Sequence, residues 1–343
     1  MDPDKPNDLA SAFEEELRRG GLGGSVTAWS RLTTGASRET FKAEVVDLGV
    51  GQTNRPSSVQ SLIVQRERPG SQKQPDGMAA EAAVVAAAGK AGVPVAEVVL
   101  TNGERQRTAF GPSFFATRAV AGETLARRIL RDEQYSDARS KLISQLGGAL
   151  AMLHQADPAV VRNANSTDEL AAYRDIADDM GMVSPAFEFA FRWLQSNRPE
   201  RDETALVHGD FRLGNLIVDS QGLVAVIDWE LAHVGDPMED LAWLCVKAWR
   251  FGGEAPVAGI GEYHELFDAY EQAGGGPVDS DAVLWWQVLG SLKWGIMCGI
   301  QLAAHRSGAY RSLELAAIGC RIPEQEHDVL SLIGEVESGR RDV

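Results

Sequence analysis

The chain has 343 residues, 44% of them hydrophobic and 24% charged, which is the composition of a folded globular protein and excludes a disordered or collagen-like one. Against 33 Lys and Arg stand 49 Asp and Glu, a formal charge of −16 whose field disfavours nucleic acid and anionic membrane surfaces as partners. The length fits two domains or one domain with two lobes. Three scattered cysteines (Cys245, Cys298, Cys320) are too few for a disulfide framework and point to a reducing, cytoplasmic compartment. Residues 1–6 lack the cationic-then-apolar pattern of a secretory signal.

In chain order, Leu9, Ala12, Phe13 and Leu17 predict an amphipathic helix over 8–19, closed by Gly20-Gly21. Strand-like runs follow at 26–33, 40–48 and 59–65, the first two joined by a small-residue loop at 34–38. Polar residues 69–77 read as a loop. The Ala-rich stretch 78–91, with Glu81 early and Gly92 and Pro94 beyond it, predicts a helix. Strands are expected at 95–101 and 114–120, with Asn102-Gly103 turning between them. After Gly122 the patterning becomes helical, notably over 137–155, where Leu142, Leu146, Leu150 and Leu153 recur at helical spacing. A β-rich island at 206–228 interrupts it, and helices resume at 238–250, 261–273, 280–305 and 324–337. The apolar segment 282–304 carries Lys293 at its middle, a costly residue at mid-bilayer, so it is read as a buried core helix. A β-rich part (1–121) followed by a larger helical part (122–343) makes an α+β, two-lobed arrangement.

The segment with most chemical content is His208-Gly-Asp210-Phe-Arg212-Leu-Gly-Asn215, followed by apolar runs 216–218 and 223–227 around a polar turn, and then by Asp228. The two runs predict a hairpin. If its turn centres between Gln221 and Gly222, Asn215 and Asp228 oppose each other at the open end, where an amide oxygen and a carboxylate converge on a hard cation such as Mg²⁺. Asp210 can orient a substrate hydroxyl beside such a site, and Arg212 can neutralise charge on a transferring group.

This order of residues, together with Ile227-Asp228-Trp229 and Gly235-Asp236-Pro237, resembles the aminoglycoside phosphotransferase and choline kinase superfamily. It is most similar to the subgroup of kinase-like domains associated with acyl-CoA dehydrogenases. The resemblance extends over residues 25–305. It implies a protein-kinase-like fold, with a small antiparallel-sheet N-lobe and a mainly helical C-lobe, and transfer of the γ-phosphoryl group of ATP or GTP, with Mg²⁺, to a hydroxyl of a small acceptor. Aminoglycosides, amino sugars and hydroxyacyl compounds are all admitted. By the same resemblance, residues 32–41, with Gly35 and Ser37, would cover the phosphates, and Arg66 would be the cation that meets them on the third strand. Gln65 stands there in place of the first residue of a basic pair common in relatives. Glu81 would pair with that cation, and the 115–122 segment, with Thr117 and Val120, would hold the purine.

Several of these residues carry plainer readings. His208 is expected to brace the loop and not to act as an acid or base. Asp236, Pro237 and Glu239 read as a helix start, Asp240 as a brace or a first-turn acid, Asp219 as turn chemistry, and His154 as a partner of its helix dipole. Arg38 either touches phosphate or shapes a turn. Five tryptophans (Trp243, Trp249, Trp285, Trp286, Trp294) follow the metal loop, and one of them is expected at the acceptor. Two competing functions remain at this stage. One is a metal-dependent hydrolase using His208, Asp210, Asp228, His233 and Asp236; the other is a nucleotide-binding pseudokinase, for which Gln65 speaks. The oligomeric state has no signature in the sequence.

Overall fold

The computed structural model describes residues 6–34, 38–48, 59–67, 77–102, 108–111, 113–161, 168–308 and 311–339. The described residues within 1–90, 94–121 and 159–162 form one compact unit, and those within 91–93, 122–158 and 163–343 form the other.

The first unit contains α1 (Pro6–Arg19), β1 (Ser25–Thr34), β2 (Arg38–Val46), β3 (Val59–Glu67), α2 (Gly77–Ala91), β4 (Val98–Thr101) and β5 (Phe114–Arg118). Its five strands form an antiparallel sheet in the order β1-β2-β3-β5-β4. Alternation decides which side chain meets which layer, because neighbouring strand residues point to opposite faces. Phe41, Ala43, Leu62, Val64, Phe114 and Ala116 pack under α1 with Phe13 and Leu17. Phe115 lies on the other face and packs with Met78 and Ala82 of α2. The expected fourth strand begins three residues late, at Val98, and Asn102 turns its side-chain oxygen to the Phe114 N–H. Gly103 lies outside the described residues, as does most of the 69–77 loop.

The second unit contains α3 (Ala126–Arg131), α4 (Ser136–His154), α5 (Glu169–Asp179), α6 (Pro185–Ser196), β6 (Ala205–Val207), β7 (Leu216–Asp219), β8 (Gly222–Val226), β9 (His233–Gly235), α7 (Met238–Cys245), α8 (Tyr263–Gln272), α9 (Ser280–Ser307), α10 (Leu313–Gly319) and α11 (Ile322–Glu337). Helix α9 is its axis. Trp285, Val288, Leu289, Leu292 and Ile296 pack with Phe187, Phe191 and Leu194 of α6 and with Val329 and Ile333 of α11. Among the described residues no helix is long and apolar enough to cross a membrane, and Lys293, at the middle of α9, is ion-paired inside the unit. Gly147 lets α4 and α8 approach, since a Cβ there would lie 2.9 Å from the Tyr270 nitrogen. The helix expected over 238–250 stops at Cys245. A 3₁₀ turn, Lys247–Arg250, follows and ends at Phe251 with φ +48°, so Trp249 leaves the helical line of Trp243.

Candidate active site

Strand β6 delivers the chain into the 208–215 loop, and Asp240 at the start of α7 holds that loop from below. Its fully buried carboxylate accepts the backbone N–H of His208 at 2.7 Å and of Gly209 at 2.9 Å. Gly209 has φ +77°, and a Cβ there would sit 2.6 Å from the Leu231 carbonyl oxygen, so only glycine fits. The Asp240 carboxylate also contacts His154 Nε2 at 3.3 Å, and His154 Nδ1 meets the Tyr270 hydroxyl at 2.8 Å. His154, in the last turn of α4, thus also joins this chain of contacts. Burial raises the Asp240 pKa, but the His154 hydrogen bond and charge and the backbone N–H of His208 outweigh it and keep the carboxyl low. His208 is fully buried, and burial holds its pKa down. Its Nδ1 accepts the Asp210 N–H at 3.2 Å and its Nε2 donates to the Ile227 carbonyl at 3.1 Å, which is the bracing role expected of it.

The Asp210 carboxylate is gripped by three donors. Arg212 Nε (2.8 Å) and Trp243 Nε1 (2.7 Å) both donate to Oδ1, and Asn215 Nδ2 donates to Oδ2 at 2.6 Å. A carboxylate has about four lone-pair positions. Two donors fill Oδ1 and one fills half of Oδ2, so the position left over belongs to Oδ2. Arg212 is itself fixed, its guanidinium lying 4.7 Å from the centre of the Trp249 ring.

The hairpin register differs from the expected one. The closing pair is Asp219↔Gly222, with the Asp219 carboxylate capping the turn through the N–H groups of Gln221 and Gly222. A bulge then shifts the ladder by one residue to Leu216↔Val226, so Asn215 faces Ile227, whose N–H donates to the Asn215 carbonyl at 2.9 Å. Asp228 comes one residue later, at φ +67°. The turn closed one residue earlier than the apolar pattern suggests because Asp219 stabilises it there, and the bulge recovers only part of the offset. The donor set suits a hard cation: the Asn215 amide nitrogen is committed to Asp210, which leaves its oxygen as a ligand atom, and Asp228 follows the residue bonded to Asn215.

Next to Asp210 lie buried aromatic rings and a cluster of paired charges. Trp249 packs against Trp243, Trp294 and Phe251, with centroids 5.4, 4.7 and 6.4 Å away. Lys293 Nζ lies 5.4 Å from the ring centres of both Trp243 and Tyr173, and pairs with Glu169 at 2.6 Å and Glu239 at 3.4 Å. Burial lowers the Lys293 pKa, but Glu239 and Glu169 more than compensate and hold it above the usual lysine range. Glu239 therefore does not reach back to cap α7. Asp236 does cap it, accepting the Met238 N–H at 3.0 Å, and also takes Trp286 Nε1 and Arg201. Burial pulls His233 down, and the Glu239 carboxylate and Leu231 carbonyl outweigh it, placing His233 at about 9. Glu169, His233 and Glu239 form the one metal-compatible cluster found among the described residues, with the Lys293 ammonium already paired to two of its members.

In the first unit, Gly35 and Ser37 lie outside the described residues. Arg66 requires a correction. It faces α1, is 1% exposed, and pairs with Glu39 at 2.6 Å, with the Phe110 carbonyl at 2.6 Å and with the Phe41 and Phe110 rings. It does not meet Glu81, because β3 alternation sends Gln65 to the α2 face and Arg66 to the opposite one. Glu81 pairs instead with Arg38, with contacts of 3.1 and 3.0 Å. Thr117 lies in β5 opposite Ile63, and Val120 lies two residues beyond that strand. Sequence reasoning gave no signal for Trp243 over the other tryptophans, nor for Tyr173 and Lys293. A hydrolase built on His208, His233 and Asp236 loses its ligands, since each is committed to the contacts above.

The sequence profile of the phosphotransferase enzyme family matches residues 30–276. Acyl-CoA dehydrogenase family member 10 of Mus musculus is 47% identical over 64 residues, 18% of this chain and 6% of that protein. Acyl-CoA dehydrogenase family member 11 of Gallus gallus is 33% identical over 176 residues, 45% of this chain and 21% of that protein. The chain thus matches only a minor part of the length of these relatives. Among solved structures, a Ralstonia eutropha JMP134 protein provisionally described as an aminoglycoside phosphotransferase superimposes with a TM-score of 0.71 at 21% identity, over 95% of this chain and 98% of that one. The GDP complex of aminoglycoside 2′-phosphotransferase-IIIa gives 0.62 at 15% identity, over 95% and 99%. Spectinomycin phosphotransferase with ADP and spectinomycin gives 0.63 at 13%, over 96% and 99%. At such identities the structures establish the fold, which is the protein-kinase-like α+β fold expected from the 208–215 motif. With the profile running from β1 to beyond α8, the chain belongs to the phosphotransferase enzyme family.

Proposed function

We propose that this protein transfers the γ-phosphoryl group of ATP or GTP to a hydroxyl of a small molecule, with Asp210 orienting that hydroxyl. The observation that carries the reading is the Asp210 carboxylate, held by Arg212, Asn215 and Trp243 so that one position on Oδ2 remains for a hydroxyl proton. Fixing the carboxylate before the acceptor arrives lowers the reorganisation needed at transfer. Asn215 and Asp228 would hold Mg²⁺, which when bound neutralises phosphate charge. Arg212, anchored between Asp210 and Trp249, would add positive charge beside the transferring group. Solved relatives carry GDP or ADP, so both nucleotide classes belong in the assay.

A hydroxyacyl compound is the acceptor class we favour over a polycationic aminoglycoside. Aromatic side chains lie next to the carboxylate, Trp243 bonded to Asp210 and Trp249 stacked on Arg212, and Lys293 places a cation beside Trp243 that a polycation would meet unfavourably. The test is ADP or GDP release with Mg²⁺ across hydroxyacyl, amino-sugar and aminoglycoside acceptors. The expected result is acceptor-dependent release that falls about 10²- to 10⁴-fold in Asp210→Asn. Release that is independent of acceptor, or unchanged in that variant, would refute the proposal, and phosphoester hydrolysis without nucleotide would restore the hydrolase reading.

A further inference from the structure

The expected place for a phosphate-binding cation in this fold is β3, where it pairs with an acid on the following helix. In this chain β3 offers no such cation. Its residue on the α2 face is Gln65, whose side-chain oxygen is buried without a partner among the described residues. Arg66 is locked on the other face by Glu39, the Phe110 carbonyl and two aromatic rings. Yet the acid of α2, Glu81, is not idle: it grips the guanidinium of Arg38, the first residue of the neighbouring strand β2, with NH1 to Oε1 at 3.1 Å and NH2 to Oε2 at 3.0 Å. The β2–β3 register sets Arg38 opposite Glu67 and Thr40 opposite Gln65, so Arg38, Thr40, Gln65 and Glu67 share the α2 face. Arg38 therefore stands one pair along the sheet from Gln65, on the same face and bound to the same helix acid that a β3 cation would use.

We propose that Arg38 is the residue that binds the nucleotide's phosphates in this protein, the cation having moved from β3 to β2. The assignment rests on the nucleotide-dependent reading above. Geometry supports it on two counts. The paired Glu81 fixes one edge of a planar guanidinium whose fork matches phosphate oxygens, and the uncharged Gln65 removes competition for that position.

The test measures binding directly, by titration calorimetry of adenosine, AMP, ADP and ATP, and of guanosine, GDP and GTP, with Mg²⁺, so that the affinity gained per phosphate is read without turnover. In Arg38→Ala the gain from nucleoside to diphosphate should shrink at least about tenfold, while nucleoside affinity stays unchanged. Because Arg38→Ala leaves the buried Glu81 without this partner, the neutral pair Arg38→Gln with Glu81→Gln serves as the second variant and should show the same loss. Adding Gln65→Arg to Arg38→Ala should restore part of the phosphate gain. Arg66→Met should lower melting temperature with the phosphate gain intact. A folded Arg38 variant that keeps the full gain per phosphate overturns the assignment and leaves the enzyme reading standing. Wild-type protein that binds no nucleotide in any of these titrations overturns both.

Discussion

Trp243→Phe isolates a single hydrogen bond to the Asp210 carboxylate, the proposed catalytic group. The indole N–H lies 2.7 Å from Asp210 Oδ1, an oxygen it shares with Arg212 Nε at 2.8 Å. Phenylalanine keeps an aromatic ring beside Trp249 and Lys293 but removes the donor. A hydrogen bond to a charged group contributes about 1.5–3 kcal/mol, so if it acts wholly in the transition state its loss lowers kcat about 10- to 100-fold. The donor also keeps the carboxylate from turning, since the hydroxyl must meet the one open position on Oδ2. The prediction is therefore a drop in kcat with nucleotide KM unchanged. Trimming a residue that is 3% exposed also costs stability, on the order of 1–3 kcal/mol, so thermal melts must first show a folded variant at the assay temperature. Steady-state ADP release under varied acceptor and nucleotide gives the answer. A folded Trp243→Phe enzyme with kcat within about twofold of wild type would refute the role assigned to this contact.

Asp240→Asn replaces a carboxylate that accepts two buried N–H groups by an amide with one acceptor oxygen, and should lower unfolding free energy by about 2–4 kcal/mol in urea melts. Lys293→Met removes the ammonium that Glu169 and Glu239 share and should cost about 3–5 kcal/mol; adding Glu239→Gln should recover at least about 1 kcal/mol, read as coupling in a double-mutant cycle. His233 has its pKa raised from 6.5 to about 9 in the folded chain, so its pairing with Glu239 stabilises fully below the unfolded value and is lost as pH rises through about 9. Unfolding free energy measured from pH 6 to pH 10 should therefore fall across roughly pH 6.5 to 9, and His233→Gln should flatten that part of the curve.

The 208–215 loop was legible in the sequence because its parts lie close together in the chain. Asp210, Arg212 and Asn215 fall within six residues, and their mutual hydrogen bonds are local. The alternation of β2 and β3 and the helical spacing of α4 could be read the same way, since both reflect a backbone period. The hairpin register could not. It depended on whether Asp219 or Gly222 set the turn and on a bulge that shifts the ladder by one residue.

The sequence by itself determined the fold class and the order of the chemical residues, and it singled out Asp210 as the candidate carboxylate. Only the tertiary structure decided the partners. Arg38 meets Glu81 across 43 residues of chain, Trp243 reaches Asp210 across 33, and Lys293 joins Glu169 across 124. The physical reason is burial. A charge taken out of water must find a partner in its own neighbourhood of the packed chain, and that neighbourhood is set by which face of a strand or helix its Cβ occupies. Moving one residue along β3 separates Arg66, sealed against Glu39 in the core, from Gln65 on the face where Arg38 and Glu81 meet.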